Sequence, residues 1–390
     1  MRLKKEDISL FFTMELFMLP IALLNYPVVS VLWYSALFFA IGFFVIRKRI
    51  FHTIRTNKVK WLLVLYMGIQ SICTYMNSGP WIKNILSLVV VFMLCVIFEE
   101  TLDKNMYRGL TVFKYVLVLN ILIENLLYLI CDCSILSTIQ CGYVYYIVWA
   151  TISVHLSKEK RRTNIEVILV SIFIILVTII KPQMDDGKKN YEWTFYTIAI
   201  MFIMVCMFDK VFCTLRKIIN GSTVFILIIL LNLIFVIFSV QDRISIVRFI
   251  IEDVMHKDIG LTGRSGIWDF AKRLILIKPT IGYGTGLTTL GNDGKWYDFM
   301  KIYGPHNQFL YILLAGGVVT LVPYLILLLY VFQKLEKSKT KEWSYVYSLG
   351  LLAMYLELMV TYRSYATCMP LFAMFVIIEL LGRRNEIFGL

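Results

Sequence analysis

The residues best suited to chemistry lie in one polar segment, residues 241–307, which interrupts a series of long apolar runs. His306 stands where this segment meets the next apolar run, and an imidazole there can accept a proton near neutral pH. Asn307, its neighbour, can hydrogen-bond to sugar or phosphate oxygens. The two residues are therefore candidates for acid–base chemistry and substrate binding, unless the Pro305-His306-Asn307 turn only caps the following helix.

The same segment supplies cations that suit phosphate. Its arginines near the apolar runs are Arg243, Arg248, Arg264 and Arg273. A guanidinium group stays charged and binds phosphate oxygens through two parallel hydrogen bonds. The alternative is that these arginines are solvated or contact lipid headgroups. The sequence holds no metal-ligand cluster, Walker motif or Gly-x-Ser-x-Gly motif, so we expect neither a metal ion nor a cofactor.

The spacing after Arg264 predicts a helix that fixes this residue in place. Apolar side chains recur at helical intervals at Ile267, Trp268, Ala271, Leu274 and Ile275. Pro279 ends the pattern, which predicts an amphipathic helix of about 13 residues with a basic polar side. Arg264 then lies at the N-terminal end, where backbone N–H groups favour an anion. Such a helix lies on the outer membrane surface or packs on the helix bundle.

Closely spaced glycines follow this helix, at Gly282, Gly284 and Gly286. No strand precedes them and their spacing differs from the dinucleotide-binding fingerprint, so that function is not indicated. The run favours a flexible turn, and the alternative is a close approach of the backbone to a ligand.

The rest of the chain has the composition of a membrane protein. Apolar residues make up 59% of the 390 residues, charged residues make up 17%, and the mean hydropathy is +0.74. The apolar runs predict an all-α, polytopic fold with about twelve transmembrane helices in one integral membrane domain, residues 1–390. The expected spans are Ile8–Leu24, Val28–Ile46, Trp61–Met76, Ile82–Phe98, Leu110–Ile130, Gly142–His155, Ile165–Ile180, Thr194–Phe208, Thr223–Val240, Gln308–Phe332, Ser344–Val360 and Ser364–Leu381.

The distribution of Lys and Arg predicts how these helices are oriented. The net charge is +13, and the basic residues concentrate in alternate short loops, whereas the short loops between them hold few. Basic loops stay on the cytoplasmic side, so we expect both termini inside and residues 241–307 outside. Topology and anionic lipid thus account for the positive charge, and a nucleic-acid partner is not indicated.

Several short motifs in and after this loop occur in an order that resembles a known family. They are Thr262-Gly263-Arg264-Ser265-Gly266-Ile267-Trp268, Lys278-Pro279, Ile281-Gly282-Tyr283-Gly284, His306-Asn307-Gln308-Phe309-Leu310 and Gly316-Gly317. The set is similar to the signature of the bacterial O-antigen ligase and O-antigen polymerase superfamily. The rest of the chain agrees with that superfamily only in topology, which has a large outer loop between the ninth and tenth helices.

The resemblance implies a GT-C-like glycosyltransferase that needs no metal and inverts the anomeric centre. The donor would be a glycan on a polyprenyl pyrophosphate such as undecaprenyl pyrophosphate, and the acceptor would be a sugar hydroxyl. Arg264 matches the family's loop arginine that engages the donor pyrophosphate. His306 matches the histidine proposed to assist the acceptor hydroxyl.

One part of the family pattern differs in this chain. Many relatives carry a Ser-Arg pair near the outer start of a central helix, whereas here Lys188 and Lys189 precede Thr194. Either these lysines, or Arg243 or Arg248, would supply that second phosphate contact.

The leading expectation is therefore a repeat-unit polymerase for O-antigen or capsular polysaccharide, a multi-pass protein of the bacterial cell membrane. The alternative within the superfamily is the ligase that transfers finished glycan to a lipid A-core acceptor. The alternative of another class is a transporter or flippase, which would use Glu124 and Glu357 near the middle of expected spans. The resemblance also implies a chain-length regulator as a possible partner.

Overall fold

The structure is a computed structural model. It describes residues 58–130, 136–160, 165–184, 213–215, 217–240, 264–287, 304–338, 342–361 and 368–388, together with residues 10–12, 14, 15, 31–33, 35, 38, 42, 244, 245 and 248. Every regular element in these ranges is helical, which confirms the all-α expectation. The helices are α1 (Lys58–Met76), α2 (Trp81–Lys104), α3 (Met106–Ile130), α4 (Leu136–Lys160), α5 (Ile165–Met184), α6 (Gly221–Leu231), α7 (Arg264–Ile277), α8 (Gln308–Lys337), α9 (Glu342–Val360) and α10 (Met369–Phe388).

Among the described residues, four helical stretches are long and apolar enough to cross a membrane. They are Lys58–Met76, Trp81–Glu100, Met106–Leu126 and Gln308–Lys337. Shorter apolar helices are Tyr143–Leu156, Ile165–Ile174 and Gly221–Ile237. The expected spans 8–24 and 28–46 lie almost wholly outside the described residues, and 194–208 lies entirely outside them. The number of spans, their orientation and the boundaries of the outer loop therefore stay predictions.

The helices pack into one bundle around α1, α8 and α10. Helix α1 lies against α2 and α8, α3 lies against α4, and α10 lies against α2, α4 and α8. The Tyr66 and Tyr324 rings pack with their centroids 5.0 Å apart, and the Tyr324 hydroxyl lies 2.8 Å from that of Tyr355. Apolar side chains on the outside of α1 and α2 are exposed, including Ile72 and Leu86, as expected for a surface that meets lipid.

Helix α6 begins regularly and then changes its winding. Asn220 and Thr223 form a capping box, in which each side chain accepts a hydrogen bond from the other residue's backbone N–H at 2.9 Å. After Leu231 the chain continues as a π-helix, Asn232–Ile237. The apolar pattern predicts an uninterrupted helix here, so the wider turn is not visible from the sequence. π-Turns inside helices are rare and occur often at functional sites.

Helix α8 is broken near its first third, and another part of the chain fills the break. Gly317 has φ 64° and ψ −165°, which no helix accommodates. The segment after α7 packs into the break: the N–H groups of Tyr283 and Gly284 donate to the carbonyls of Leu314 and Ala315 at 2.6 and 3.0 Å. The carbonyl groups that lose their helical partners at the break are thereby satisfied.

The glycines are required by the closeness of these two backbones. A Cβ atom on Gly282 would lie 2.4 Å from the Leu314 carbonyl oxygen, and one on Gly317 would lie 2.0 Å from the Thr280 carbonyl oxygen. Gly282 also has φ 60°. The glycine run, for which the sequence favours a flexible turn, is thus a docked segment whose close approach is to the protein's own backbone.

Buried charges connect the other end of α8 to its neighbours. The Lys60 ammonium donates to Glu99, which also accepts from Arg383 Nη1 at 3.1 Å. Arg383 Nε and the Tyr330 hydroxyl donate to Glu379 at 3.0 and 2.8 Å. Lys60 and Glu99 are fully buried, so this network ties α1, α2, α8 and α10 together at the end of the bundle opposite His306.

Candidate functional site

Helix α7 positions one half of the candidate site. It begins at Arg264, as the spacing predicts, and ends at Ile277. Its apolar face packs on the bundle: Ile267, Trp268, Ala271 and Leu274 are buried in one cluster with Val236, Leu310 and Leu314. Of the two expected placements, the structure shows packing on the bundle, while Leu276 and Ile277 at the end of the helix remain exposed.

Trp268 joins this helix to the histidine. Its ring is fully buried, and its indole N–H donates to the His306 backbone carbonyl at 3.4 Å. Because Trp268 follows Arg264 by about one helical turn, the same face of α7 carries the arginine close to His306. The Arg264 side chain is half-buried, and its charge acts on the His306 imidazole.

His306 has an unusual backbone and an unusual pKa. Its φ is 45°, in the left-handed region that few residues with a side chain adopt. The imidazole is half-buried, and burial, followed by the positive charge of Arg264, lowers its pKa to about 4. The side chain is therefore neutral near pH 7 and can accept a proton from a hydroxyl group.

Asn307 is fixed entirely by the protein. Its Oδ1 accepts from the Leu310 N–H at 3.0 Å, which caps α8. Its Nδ2 donates to Asn232 Oδ1 at 2.8 Å and to the Met359 carbonyl at 3.0 Å, and the residue is fully buried. The Asn307 amide is thus engaged by three protein groups, and its expected contact with sugar or phosphate stays a prediction.

Of the remaining expected cations, the structure describes only Arg273 and Arg248. Arg273 follows Arg264 by about two and a half turns, so it lies on the opposite side of α7, where it is exposed. Arg248 is exposed, and it is one of the three residues that the structure describes between residues 241 and 263. The other three expected phosphate contacts, Arg243, Lys188 and Lys189, lie outside the described residues.

The acids proposed for a transporter lie inside the bundle. Glu124 and Glu357 are each 1% exposed, and Glu357 Oε1 accepts from the Thr361 hydroxyl at 3.0 Å. In the described ranges no group of three His, Cys, Asp or Glu side chains could hold a metal ion. The expectation of a metal-free site stays a prediction.

Sequence reasoning missed two residues that build the site. Asn232 begins the π-helix and pairs with Asn307, and the only signal for it is a lone amide in an apolar run. The spacing puts Trp268 on the apolar face of the helix, but only the folded structure shows that its indole N–H donates to the His306 carbonyl.

Comparison with known protein families gives a match to part of the chain. Residues 167–325 match the sequence model of a family described as O-antigen ligase. The matched range covers less than half of the chain, but it contains α7, the docked glycine segment, His306 and the first part of α8. No curated protein and no solved structure matches the chain.

Proposed function

We propose that this protein is a repeat-unit polymerase of a bacterial surface polysaccharide, since residues 167–325 match a family described as O-antigen ligase. It acts on lipid-linked sugars at the outer face of the cell membrane. The donor is a glycan on a polyprenyl pyrophosphate, and the acceptor is a hydroxyl group of a second lipid-linked glycan. The observation that carries the proposal is the placement of Arg264 beside a neutral, half-buried His306.

The proposed reaction is a single displacement at the anomeric carbon. The acceptor oxygen forms a bond to this carbon as the bond from the carbon to the pyrophosphate oxygen breaks, which inverts the centre. His306 takes the proton of the hydroxyl, and the lipid pyrophosphate leaves with the bonding electron pair. Arg264 stabilises the charge that develops on the leaving group, and it is held in place before the reaction begins. No metal ion takes part.

Binding of the donor makes His306 a better proton acceptor. Without substrate, the Arg264 charge lowers the pKa of His306. A bound pyrophosphate offsets that charge, so the imidazole becomes a stronger base when the donor is present. The donor therefore activates the group that must accept the proton.

The experiment measures transfer by purified protein with a lipid-linked oligosaccharide. Arg264→Ala and His306→Ala are each expected to lower kcat/KM by about a hundredfold or more, since each removes stabilisation of the transition state. Lys83→Ala, at an exposed lysine of α2, is the matched control and should keep wild-type activity. EDTA should leave activity unchanged, and activity that vanishes in EDTA would contradict the metal-free reaction.

Two other functions are outcomes of related tests. The matched family is described as O-antigen ligase, so transfer to a lipid A-core acceptor is the second candidate. Wild-type protein that uses only this acceptor is a ligase. If Arg264→Ala and His306→Ala leave polymer unchanged in cells while Glu357→Gln abolishes export, the protein is a transporter.

A further inference from the structure

Lys278, just after α7, is a cation held by neutral groups. Its Nζ donates to Asn77 Oδ1 at 2.6 Å and lies 5.3 Å from the centre of the Tyr283 ring. Within the described part of the chain no carboxylate pairs with it, whereas Lys272 of α7 forms an ion pair with Asp269 at 2.6 Å. An ammonium group has three donors, so Lys278 keeps two for another partner.

The position of this ammonium is fixed from several sides. Asn77 is 4% exposed and its Nδ2 donates to the Cys73 carbonyl at 2.8 Å, so its Oδ1 must face Lys278. The Tyr283 hydroxyl donates to the Leu274 carbonyl at 2.9 Å. The site is therefore built before any ligand arrives, which lowers the entropy lost on binding.

The docked segment is also tied to α1 and α2 beside this lysine. Asn84 Nδ2 donates to the hydroxyl oxygens of Thr74 and Thr285 at 3.0 and 2.7 Å. The Thr285 N–H donates to Thr74 Oγ1 at 3.0 Å. These buried polar groups hold the turn between α1 and α2 against the segment that carries Lys278.

Lys278 lies well away from the reacting groups. The Val318 N–H donates to the Pro279 carbonyl at 2.9 Å, so Pro279 lies about ten residues, or roughly 15 Å, along α8 from its start beside His306. Helix α7 separates Lys278 from Arg264 by roughly 20 Å. One pyrophosphate cannot contact both Arg264 and Lys278.

The distance between Arg264 and Lys278 decides which of the two substrate pyrophosphates Lys278 can bind. The donor pyrophosphate is bonded directly to the carbon that reacts, so it must lie at Arg264 and His306. The acceptor of a polymerase also carries a pyrophosphate, but a glycan separates it from the reacting hydroxyl. In the expected orientation the turn after α1 lies on the outer side of the membrane, the side on which both lipid-linked substrates are used.

We propose that Lys278 binds the pyrophosphate of the lipid-linked acceptor, with Asn77 and Tyr283 as its positioning residues. The inference rests on the proposed polymerase function, because a lipid A-core acceptor has no polyprenyl pyrophosphate. The distance from Lys278 to His306 then sets the length of glycan that reaches from one site to the other.

The test separates the two substrates. The donor lacks the hydroxyl that accepts sugar, so it can only donate. In the acceptor, a methylene group replaces the oxygen between the anomeric carbon and the pyrophosphate, so that the pyrophosphate cannot leave. A second acceptor has the same glycan and lipid joined by an uncharged ether. Lys278→Gln is expected to raise KM for the charged acceptor about tenfold and to leave KM for the uncharged acceptor and kcat nearly unchanged.

Companion variants guard against a folding defect. Lys278→Arg keeps the charge and should keep KM low. Asn77→Asp places a carboxylate against Lys278 and should raise KM for the charged acceptor as Lys278→Gln does, with the lysine still present. Lys83→Gln removes an exposed charge from α2, near the same turn, and should have no effect.

Several results would overturn the inference. One is an equal rise in KM for both acceptors, and another is the same effect from Lys83→Gln. A Lys278→Gln effect that disappears in bilayers without anionic phospholipid would assign this lysine to a lipid headgroup. If wild-type protein transfers glycan but the variants leave KM for the charged acceptor unchanged, only the acceptor site is wrong. If wild-type protein transfers to neither acceptor, the polymerase function fails with it.

Discussion

At the scale of single residues, the candidate site combines the positive charge of Arg264 with the half-buried imidazole of His306. Burial and Arg264 both disfavour the protonated form of His306, and burial is the larger effect. In the proposed reaction the arginine therefore has two roles: it lowers the pKa of the histidine further, and it offers the donor pyrophosphate a cation.

Removing the arginine should change how His306 titrates. In wild-type protein the pKa is about 4, and Arg264→Gln should raise it toward the ordinary value of 6.5 without reaching it, because burial remains. NMR of protein labelled at histidine measures the shift. Arg273→Gln, on the opposite side of α7, is the control and should leave the titration unchanged.

The lowered pKa of His306 also makes the free energy of unfolding depend on pH. The pKa of folded His306 lies below that of the unfolded chain, so from about pH 6.5 down to about 4 the unfolded state takes up a proton that the folded state does not. This residue therefore lowers the free energy of unfolding as the solution is acidified. If the pKa of His306 is the same in Arg264→Gln protein as in wild-type protein, the charge of Arg264 does not act on the imidazole.

His306 and Arg264 could be chosen from the sequence because short motifs mark them. The contacts of Asn307 could not be predicted, because its partners Asn232 and Met359 come from distant parts of the chain. The local sequence shows only that Asn307 follows His306, whereas the fold determines which groups the Asn307 amide contacts.

At the scale of elements, the apolar runs and the helix after Arg264 can be predicted, because each depends on a pattern within consecutive residues. The break in α8 was not, since Gly282 and Gly317 reveal their purpose only when the two segments meet. The π-helix after Leu231 was missed for the same reason: apolar side chains alone do not distinguish the two windings.

Alanine at either docking glycine should destabilise the fold. Gly282→Ala and Gly317→Ala each force a Cβ into backbone atoms at a positive φ, and we expect a loss of roughly 2–5 kcal/mol. Thermal unfolding in detergent measures it. Gly266→Ala is the matched control: nothing lies within 4 Å of its Cβ, and alanine favours the helix. Docking-site variants as stable as Gly266→Ala would contradict the close packing.

At the scale of the molecule, α8 carries a different task at each end. Its first residues hold His306 and the docked segment, and its far end joins the buried charge network. The sequence indicates acids and bases near the span ends, but not that Lys60, Glu99 and Arg383 meet.

Neutralising the centre of this network should weaken the whole bundle. Glu99→Gln leaves the fully buried Lys60 ammonium without its carboxylate, and we expect a loss of roughly 3–5 kcal/mol. Asp269→Asn breaks the more exposed Lys272 pair and should cost less than about 1 kcal/mol. Equal melting temperatures for the two variants would contradict the difference in burial.

The left-handed backbone at His306 costs stability at the candidate site. Glycine adopts φ 45° without steric penalty, and asparagine adopts it more readily than most residues, whereas a histidine there is strained. A chain selected only to fold would gain by placing glycine at this turn. In the proposed reaction the imidazole accepts the proton of the acceptor hydroxyl, which would account for a histidine at a turn that glycine adopts without strain.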